Sequence, residues 1–308
     1  MMTKLHKNGK LLLSGEYAVL DGAKALAIPT IYGQKFSFSQ NKTAGSLIWR
    51  ALDHTNELWF EAEYSLIDLD IISTDKKVVA LALQKVLKAA QTLNPKFLST
   101  SNGFRVESQL DFPRSWGLGS SSTLVAAVAQ WSNTDAFKLS EMSFGGSGYD
   151  IAAANSEEPF TYKIGKNSLE VNPTPLNWPF KNSLYFIHRN QKQNSRESIA
   201  HYRANETSAH CIQEISAITQ GMIDATSAEE FSALMTSHEQ IIAKIIKINP
   251  VKETLFGDFP GAIKSLGGWG GDFIMAVDLE LGPQNIHEYF SKKGFPTVIA
   301  FDKMILKP

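Results

Sequence analysis

The residues best placed to do chemistry lie in one run: Pro113, Arg114, Ser115, Trp116, Gly117, Leu118, Gly119, Ser120, Ser121, Ser122 and Thr123, leading straight into an apolar segment. Gly117 and Gly119 let the backbone take positive φ and approach a ligand closely, and Ser120 to Thr123 suit a helix N-cap. The free N–H groups of a first helical turn together carry about half a positive charge, which suits a phosphate. A serine hydroxyl beside them can ligate Mg²⁺. Taken alone, the run also fits a capped core helix behind a tight turn. It is not a Walker A loop, because no Gly-Lys-Ser/Thr follows it.

Three further runs share the same character. Near the start stand Asn8, Gly9 and Lys10, three leucines, then Ser14, Gly15, Glu16 and Tyr17. Gly145, Gly146, Ser147, Gly148, Tyr149 and Asp150 precede a small-residue run ending at Ala154. Towards the end, Lys264, Ser265, Leu266, Gly267, Gly268, Trp269, Gly270, Gly271 and Asp272 form a second glycine-rich loop. Each has a plain reading of its own: a solvated rim, a helix cap, a turn.

In this order and spacing the four runs resemble the GHMP kinases, named for galactokinase, homoserine kinase, mevalonate kinase and phosphomevalonate kinase. The first is similar to that family's Pro-Gly-Lys…Gly-Glu-His motif, with Asn8 for Pro and Tyr17 for His. The second resembles Pro-x-x-x-Gly-Leu-Gly-Ser-Ser-Ala, with Ser122 for Ala, and the third Ser-Gly-x-Asp at Ser147 to Asp150. The fourth is a looser likeness to Thr-Gly-Ala-Gly-Gly-Gly-Gly, with Leu266, Gly268 and Trp269 replacing Thr, Ala and Gly. The Glu16-Tyr17 pair and the run after Asp150 are similar to the mevalonate-pathway branch, bacterial phosphomevalonate kinases in particular.

The resemblance implies an ATP- and Mg²⁺-dependent small-molecule kinase with an acidic acceptor, mevalonate first. Phosphomevalonate kinase, a homoserine or sugar kinase, or a catalytically silent nucleotide-binding relative are the alternatives. It implies ATP contacts at Gly117, Leu118, Gly119, Ser120, Ser121 and Ser122. Mg²⁺ would be held by Ser121 with Glu141, which precedes Asp150 at a shorter spacing than the family's; Asp135 is the alternative. Asp150 would be the general base, with Lys10 lowering its pKa and holding the acceptor oxygen. Glu16, Tyr17, Ser147, Gly267 and Gly268 would line the acceptor side. The strand and loop from Phe186 to Arg196 resembles the acceptor-side segment of mevalonate kinases. It holds His188, Arg189, Lys192 and Arg196 and no acid. It reads either as a solvated basic loop or as an anion clamp in which Arg196 is suited to a bidentate contact.

Several elements must position these residues. Val79, Leu83, Val86, Leu87 and Ala90 recur at helical spacing, which predicts a helix over 77–93 stopped by Asn94 and Pro95. Residues 5–38 read as strands broken at Gly9, Gly15, Asp21-Gly22 and Gly33; Phe104–Leu110 alternates as a strand. Helices are expected near 122–131, 206–222, 228–248 and 284–292, and strands at Leu184–Ile187, Phe273–Val277 and Thr297–Phe301. Pro173, Pro175 and Pro179 make 172–182 the expected boundary, since clustered prolines break regular elements. Strands alternate with helices on both sides, so the class is α/β or α+β. The resemblance narrows this to an α+β fold, a two-layer sandwich. In it a ribosomal-protein-like ATP-binding domain, 1–175, precedes a ferredoxin-like domain, 176–308.

Size and composition agree. The chain has 308 residues, two domains at roughly 100–200 residues each. Its 30 Lys+Arg against 31 Asp+Glu leave no broad basic face, so no nucleic-acid partner is expected. One cysteine, Cys211, excludes an internal disulfide and a cysteine-rich zinc site, and it is expected to be buried. No apolar run approaches the ~18–20 residues of a membrane span, and the run after Lys10 is too short for a signal peptide. The expectation is a cytoplasmic protein, monomer or homodimer, away from membranes.

Overall fold

The computed structural model describes residues 2–41, 45–99, 102–166, 168–191, 193, 195–269 and 271–306, without the side chains of Ser195 and Arg196. The chain forms two compact units, each drawn from several stretches. The first comprises Met1–Gly9, Tyr32–Arg114 and Leu118–Asn155; the second comprises Lys10–Ile31, Ser115–Gly117 and Ser156–Pro308.

The early elements are β1 (Met2–Ser14), β2 (Ala25–Asn41), β3 (Ser46–Leu52), β4 (Leu58–Ser65), β5 (Ile71–Thr74), α1 (Lys77–Leu93) and β6 (Gly103–Leu110). Then come α2 (Ser120–Ser132), α3 (Ala136–Ser143), α4 (Tyr149–Asn155), β7 (Phe160–Ile164) and β8 (Leu169–Pro173). They are followed by β9 (Leu184–His188), α5 (Ser195–Arg203), α6 (Ala209–Asp224), α7 (Ala228–Ile246) and α8 (Val251–Leu255). The last are β10 (Ala262–Ser265), β11 (Phe273–Val277), α9 (Pro283–Lys292), β12 (Val298–Ala300) and α10 (Phe301–Met304). The architecture is α+β.

In the first unit the strand order is β5-β4-β3-β6-β2, with β3 and β6 parallel and the other neighbours antiparallel. Trp49, Phe60 and Tyr64 from the sheet share a buried core with Val86 of α1, Val125 of α2 and Ile151 of α4. Burial of such side chains contributes roughly 1.5–3 kcal/mol each, which anchors the helices that carry the phosphate-type turn and Asp150.

In the second unit the start of β2 pairs with β7, and β7 with β8. A separate sheet has the order β10-β11-β9-β12, every neighbouring pair antiparallel. With α5 to α8 in its first connection and α9 in its last, this is the ferredoxin-like arrangement. α7 starts at Ser227, whose hydroxyl accepts from the Glu230 N–H, as an N-cap serine does. Its buried face carries Phe231, Met235, His238, Glu239, Ile242 and Ile246. Two titratable residues on that face are unusual, and they return below.

Most of the expected elements are present, with three differences. β1 runs through Gly9 and β2 through Gly33, so the breaks fall only near Gly15 and at Asp21-Gly22. Gly33 is a packing glycine: a Cβ there would lie 2.4 Å from the Lys7 carbonyl oxygen. α2 begins at Ser120 rather than 122, because Gly119 takes the left-handed N-cap position at φ 90°. Cys211 is half-buried rather than buried, in the first turn of α6 with its N–H on Ser208 Oγ.

Candidate active site

The glycine–serine turn is built from its helix outwards. The Gly119 N-cap has no side chain to close the first turn of α2. The neighbouring hydroxyls are committed inward: Ser122 Oγ donates to Gly119 O at 2.7 Å, and Thr123 Oγ1 to Gln34 Oε1 at 2.7 Å. Ser121 is exposed, with Ser120 and Gly119 half-exposed beside it. A helix N-terminus without a side-chain cap, flanked by an exposed hydroxyl, is suited to an anion.

α2 packs against α3 and α4, and those helices carry the other residues expected in this unit. Asp150 lies half-exposed in the first turn of α4, after Ser147 and Gly148, and both Asp150 and Ser147 have polar partners. Glu141 is exposed on α3. Asp135 is the N-cap of α3 and accepts from Lys138 N–H at 2.9 Å. No three His, Cys, Asp or Glu side chains gather around a cation position among the described residues.

The second unit holds Lys10, Glu16, Tyr17, Gly117 and the late glycine loop. Lys10 is half-buried on β1 and has a partner. Glu16 is 1% exposed; one oxygen is paired with Lys264, itself 0% exposed, and the other faces His238 Nε2 at 3.3 Å. Lys264 also donates to Ser265 O at 2.9 Å. Burial raises the Glu16 pKa against the pull of Lys264. His238 Nε2 accepts from Gly15 N–H at 2.9 Å, and burial holds this ring neutral, well below the usual imidazole range. Tyr17, with φ 61°, accepts from Trp269 N–H at 2.9 Å and stacks on Tyr202 at 5.4 Å. Glu16 is thus an interior clasp between the turn after β1 and the strand before the glycine loop, and Tyr17 is the polar contact to that loop.

Glu239 completes this buried cluster. Its carboxyl accepts from Ser265 N–H at 3.1 Å and Ser265 Oγ at 2.9 Å, and burial pushes its pKa up to about 7 from 4.5. The folded protein therefore keeps a proton that the unfolded chain releases. The stability this provides is complete below about pH 4.5 and lost as pH rises through about 7. Glu239→Gln should flatten that fall, read as urea midpoints at about pH 5 and about pH 7.5. An unchanged pH slope would remove Glu239 as its source.

On the acceptor-type segment, Lys192 and the Arg196 side chain lie outside the described residues. Arg189 is half-buried; its Nε is buried with no partner among the described residues, and Glu239 is the charge it feels. Gln193 donates to Ser198 Oγ at 3.1 Å, and Ser198 reaches the Tyr17 hydroxyl. The glycine loop needs its glycines: a Cβ on Gly268 would lie 2.8 Å from Gln193, and Gly267 has φ 65° with open space around it. Lys264, His238, Glu239 and Asp272 were not candidates at the sequence level. The available signal was a lysine inside the apolar strand Ala262–Ser265 and a His-Glu pair on the apolar face of α7.

Part of this geometry falls in a segment that known proteins share. The profile described as GHMP kinases N terminal domain matches residues 84–154, which span the glycine–serine turn, Glu141 and Asp150. The match covers this segment and leaves the rest of the chain unmatched. The mevalonate kinase of Methanococcus jannaschii is 15% identical with a TM-score of 0.71, covering 97% of each chain. The Streptococcus pneumoniae phosphomevalonate kinase in complex with phosphomevalonate and AMPPNP is 15% identical, TM-score 0.70, covering 95% of this chain and 97% of that one. A Lactococcus lactis galactokinase complexed with galactose is 11% identical, TM-score 0.68, covering 99% and 93%. At these identities the likeness establishes the fold. No curated protein sequence matches.

Within the matched segment the structure brings the turn on α2 and Asp150 on α4 onto packed helices. No helix among the described residues is long and apolar enough to cross a membrane.

Proposed function

We propose that the protein is an ATP- and Mg²⁺-dependent kinase that phosphorylates an acidic small molecule, with mevalonate the preferred acceptor. The observation that carries this reading is the uncapped N-terminus of α2 behind Gly119, on a helix packed beside α4, whose first turn holds Asp150, in a segment with the GHMP family profile. Nucleotide binding is assigned to the 1–175 part of the chain and acceptor binding to 176–308, together with Lys10, Tyr17 and Ser147.

In this mechanism the N–H groups at Gly119 to Ser122 receive phosphate oxygens of ATP, with Gly117 and Leu118 shaping the approach. When bound, Mg²⁺ supplies charge neutralisation at the transferring phosphate. Ser121 and Glu141 would hold it, since the Asp135 carboxylate is already committed to the backbone of α3. Asp150 accepts the acceptor hydroxyl proton as that oxygen bonds to the γ-phosphorus and the γ-phosphorus separates from the β,γ-bridging oxygen, releasing ADP. Lys10 is assigned to the acceptor oxygen, whose charge it would steady.

Arg189, with a buried unpartnered Nε, supports an acidic acceptor over a neutral sugar. Arg196, Gly267 and Gly268 are assigned to the same side. Phosphomevalonate kinase is the second reading, favoured by the Glu16-Tyr17 pair.

ADP release with mevalonate, phosphomevalonate, homoserine and galactose tests the assignment. Turnover with mevalonate, at least about tenfold above the other acceptors in kcat/KM, is the expected result, a margin of the size one mismatched pocket contact gives. A rate with galactose or homoserine alone would overturn the acidic acceptor.

A further inference from the structure

The stretch just before the glycine–serine turn, Ser115–Gly117, belongs to the second unit, whereas Leu118 onwards belongs to the first. Within the second unit it is held at three points. His188, at the end of β9 and 4% exposed, lies with Nε2 3.1 Å from Ser115 O. Its Nδ1 accepts from Asn190 N–H at 3.3 Å, so the two contacts together select the neutral tautomer that donates from Nε2. The Trp116 ring stands edge-on to Phe273 at 5.5 Å and tilted to His188 at 6.2 Å. Phe273 and His188 are direct cross-strand partners between β11 and β9, so the indole rests on a rigid pair. Gly117, at φ 66°, approaches Asp272 so closely that a Cβ would lie 2.4 Å from the carboxyl carbon.

Asp272 is fixed in turn. It is 8% exposed, with φ 52°. Its N–H donates to Gln191 O at 2.8 Å, its carbonyl accepts from Arg189 N–H at 2.8 Å, and Oδ1 accepts from Gln193 N–H at 3.3 Å. The surface against which Gly117 rests is therefore a clamped carboxylate rather than a movable side chain. Only glycine satisfies both the positive φ and this approach.

We infer that His188 and Asp272 are positioning residues for the approach to the phosphate turn: they dock Ser115–Gly117 and so hold in one conformation the chain that leads into Gly119. The inference rests on the kinase reading only in naming the ligand of that turn a phosphate; the docking stands apart from it. This role requires no contact with nucleotide from either residue. They act by removing alternative conformations of a two-glycine turn, so that binding does not have to order it.

The test uses the full chain and two readouts. In the free protein, amide hydrogen exchange over 115–122 should speed up about tenfold in His188→Leu, the order expected for one lost hydrogen bond, with α1 and β11 unchanged. His188→Gln, whose amide can still donate to Ser115 O, should restore slow exchange. AMPPNP affinity should fall by about the same tenfold factor in His188→Leu, while the acceptor KM stays within about twofold. If His188→Leu does not fold, Gly117→Ala serves instead, because the added methyl collides with the Asp272 carboxyl. Its loss of affinity should then be smaller in the Gly117→Ala/Asp272→Ala double variant than the two single losses combined.

Unchanged exchange over 115–122 would overturn the docking. Faster exchange with unchanged AMPPNP affinity would overturn the positioning role. Wild-type protein that binds no nucleotide would instead overturn the kinase reading, with the exchange experiment still deciding the docking.

Discussion

Asp150→Asn should lower turnover by about 10²–10⁴-fold, the usual contribution of a positioned proton acceptor, while ATP binding by calorimetry stays near wild type. Asparagine keeps the size of the side chain and its place in the first turn of α4 but cannot accept the hydroxyl proton. Backbone packing should survive, because Ile151, Ala152, Ala153 and Ala154 hold the helix in place and are all buried. Phosphate binding should survive as well, because it is assigned to α2. The separation of the two effects is the informative part. Turnover near wild type would remove Asp150 as the base, and loss of ATP affinity would mean that Asp150 serves the nucleotide instead.

Lys264→Met should destabilise the protein by about 3–5 kcal/mol, the range for breaking a buried ion pair from one side. Glu16 is 1% exposed, and its second oxygen already has no hydrogen bond, so loss of the ammonium leaves a buried carboxyl without a counter-charge. His238 cannot substitute, because burial holds its ring neutral. At roughly 2–4 °C per kcal/mol for a unit of this size, the midpoint of the transition should fall by about 10 °C. Glu16→Met/Lys264→Met removes both charges and should recover most of that loss, since two apolar side chains of similar volume replace the pair. A single variant as stable as wild type would show that the clasp contributes nothing. A double variant no better than the single would place the cost in packing rather than in the unpaired charge.

The elements that were legible in the sequence are those whose periodicity is long and unbroken. α1 follows from Leu83, Val86, Leu87 and Ala90, which are buried as their spacing requires. β11 follows from Phe273–Val277, and β6 from strict alternation. β4 carried a comparable signal, with Phe60, Ala62 and Tyr64 buried between exposed Glu61 and half-exposed Glu63, yet no strand was expected over 46–74. α4 is too short, and α5 too polar over Ser195–Arg203, for a helical period to stand out.

The phosphate-type turn was legible because its chemistry is local: glycine conformation and serine capping act within a few residues. The clasp beneath the late glycine loop was not. Glu16 and Lys264 lie 248 positions apart, and nothing near either residue identifies its partner. Burial also changes what the residues are for. Glu16 was expected to line the acceptor, but it is enclosed with Lys264 and His238, and the polar atom presented towards the loop is the Tyr17 hydroxyl. Arg189 stands out for the same reason in reverse, because its exposure and its unpartnered Nε are properties of the fold and not of the segment around it.

Transfer of label from [γ-³²P]ATP to mevalonate tests the central claim most directly. The wild-type protein with Mg²⁺ should place the label on the acceptor as a phosphomonoester, in a one-to-one ratio with ADP formed, and Asp150→Asn should not. Label appearing only as inorganic phosphate, or remaining wholly on ATP with every acidic acceptor offered, would contradict it.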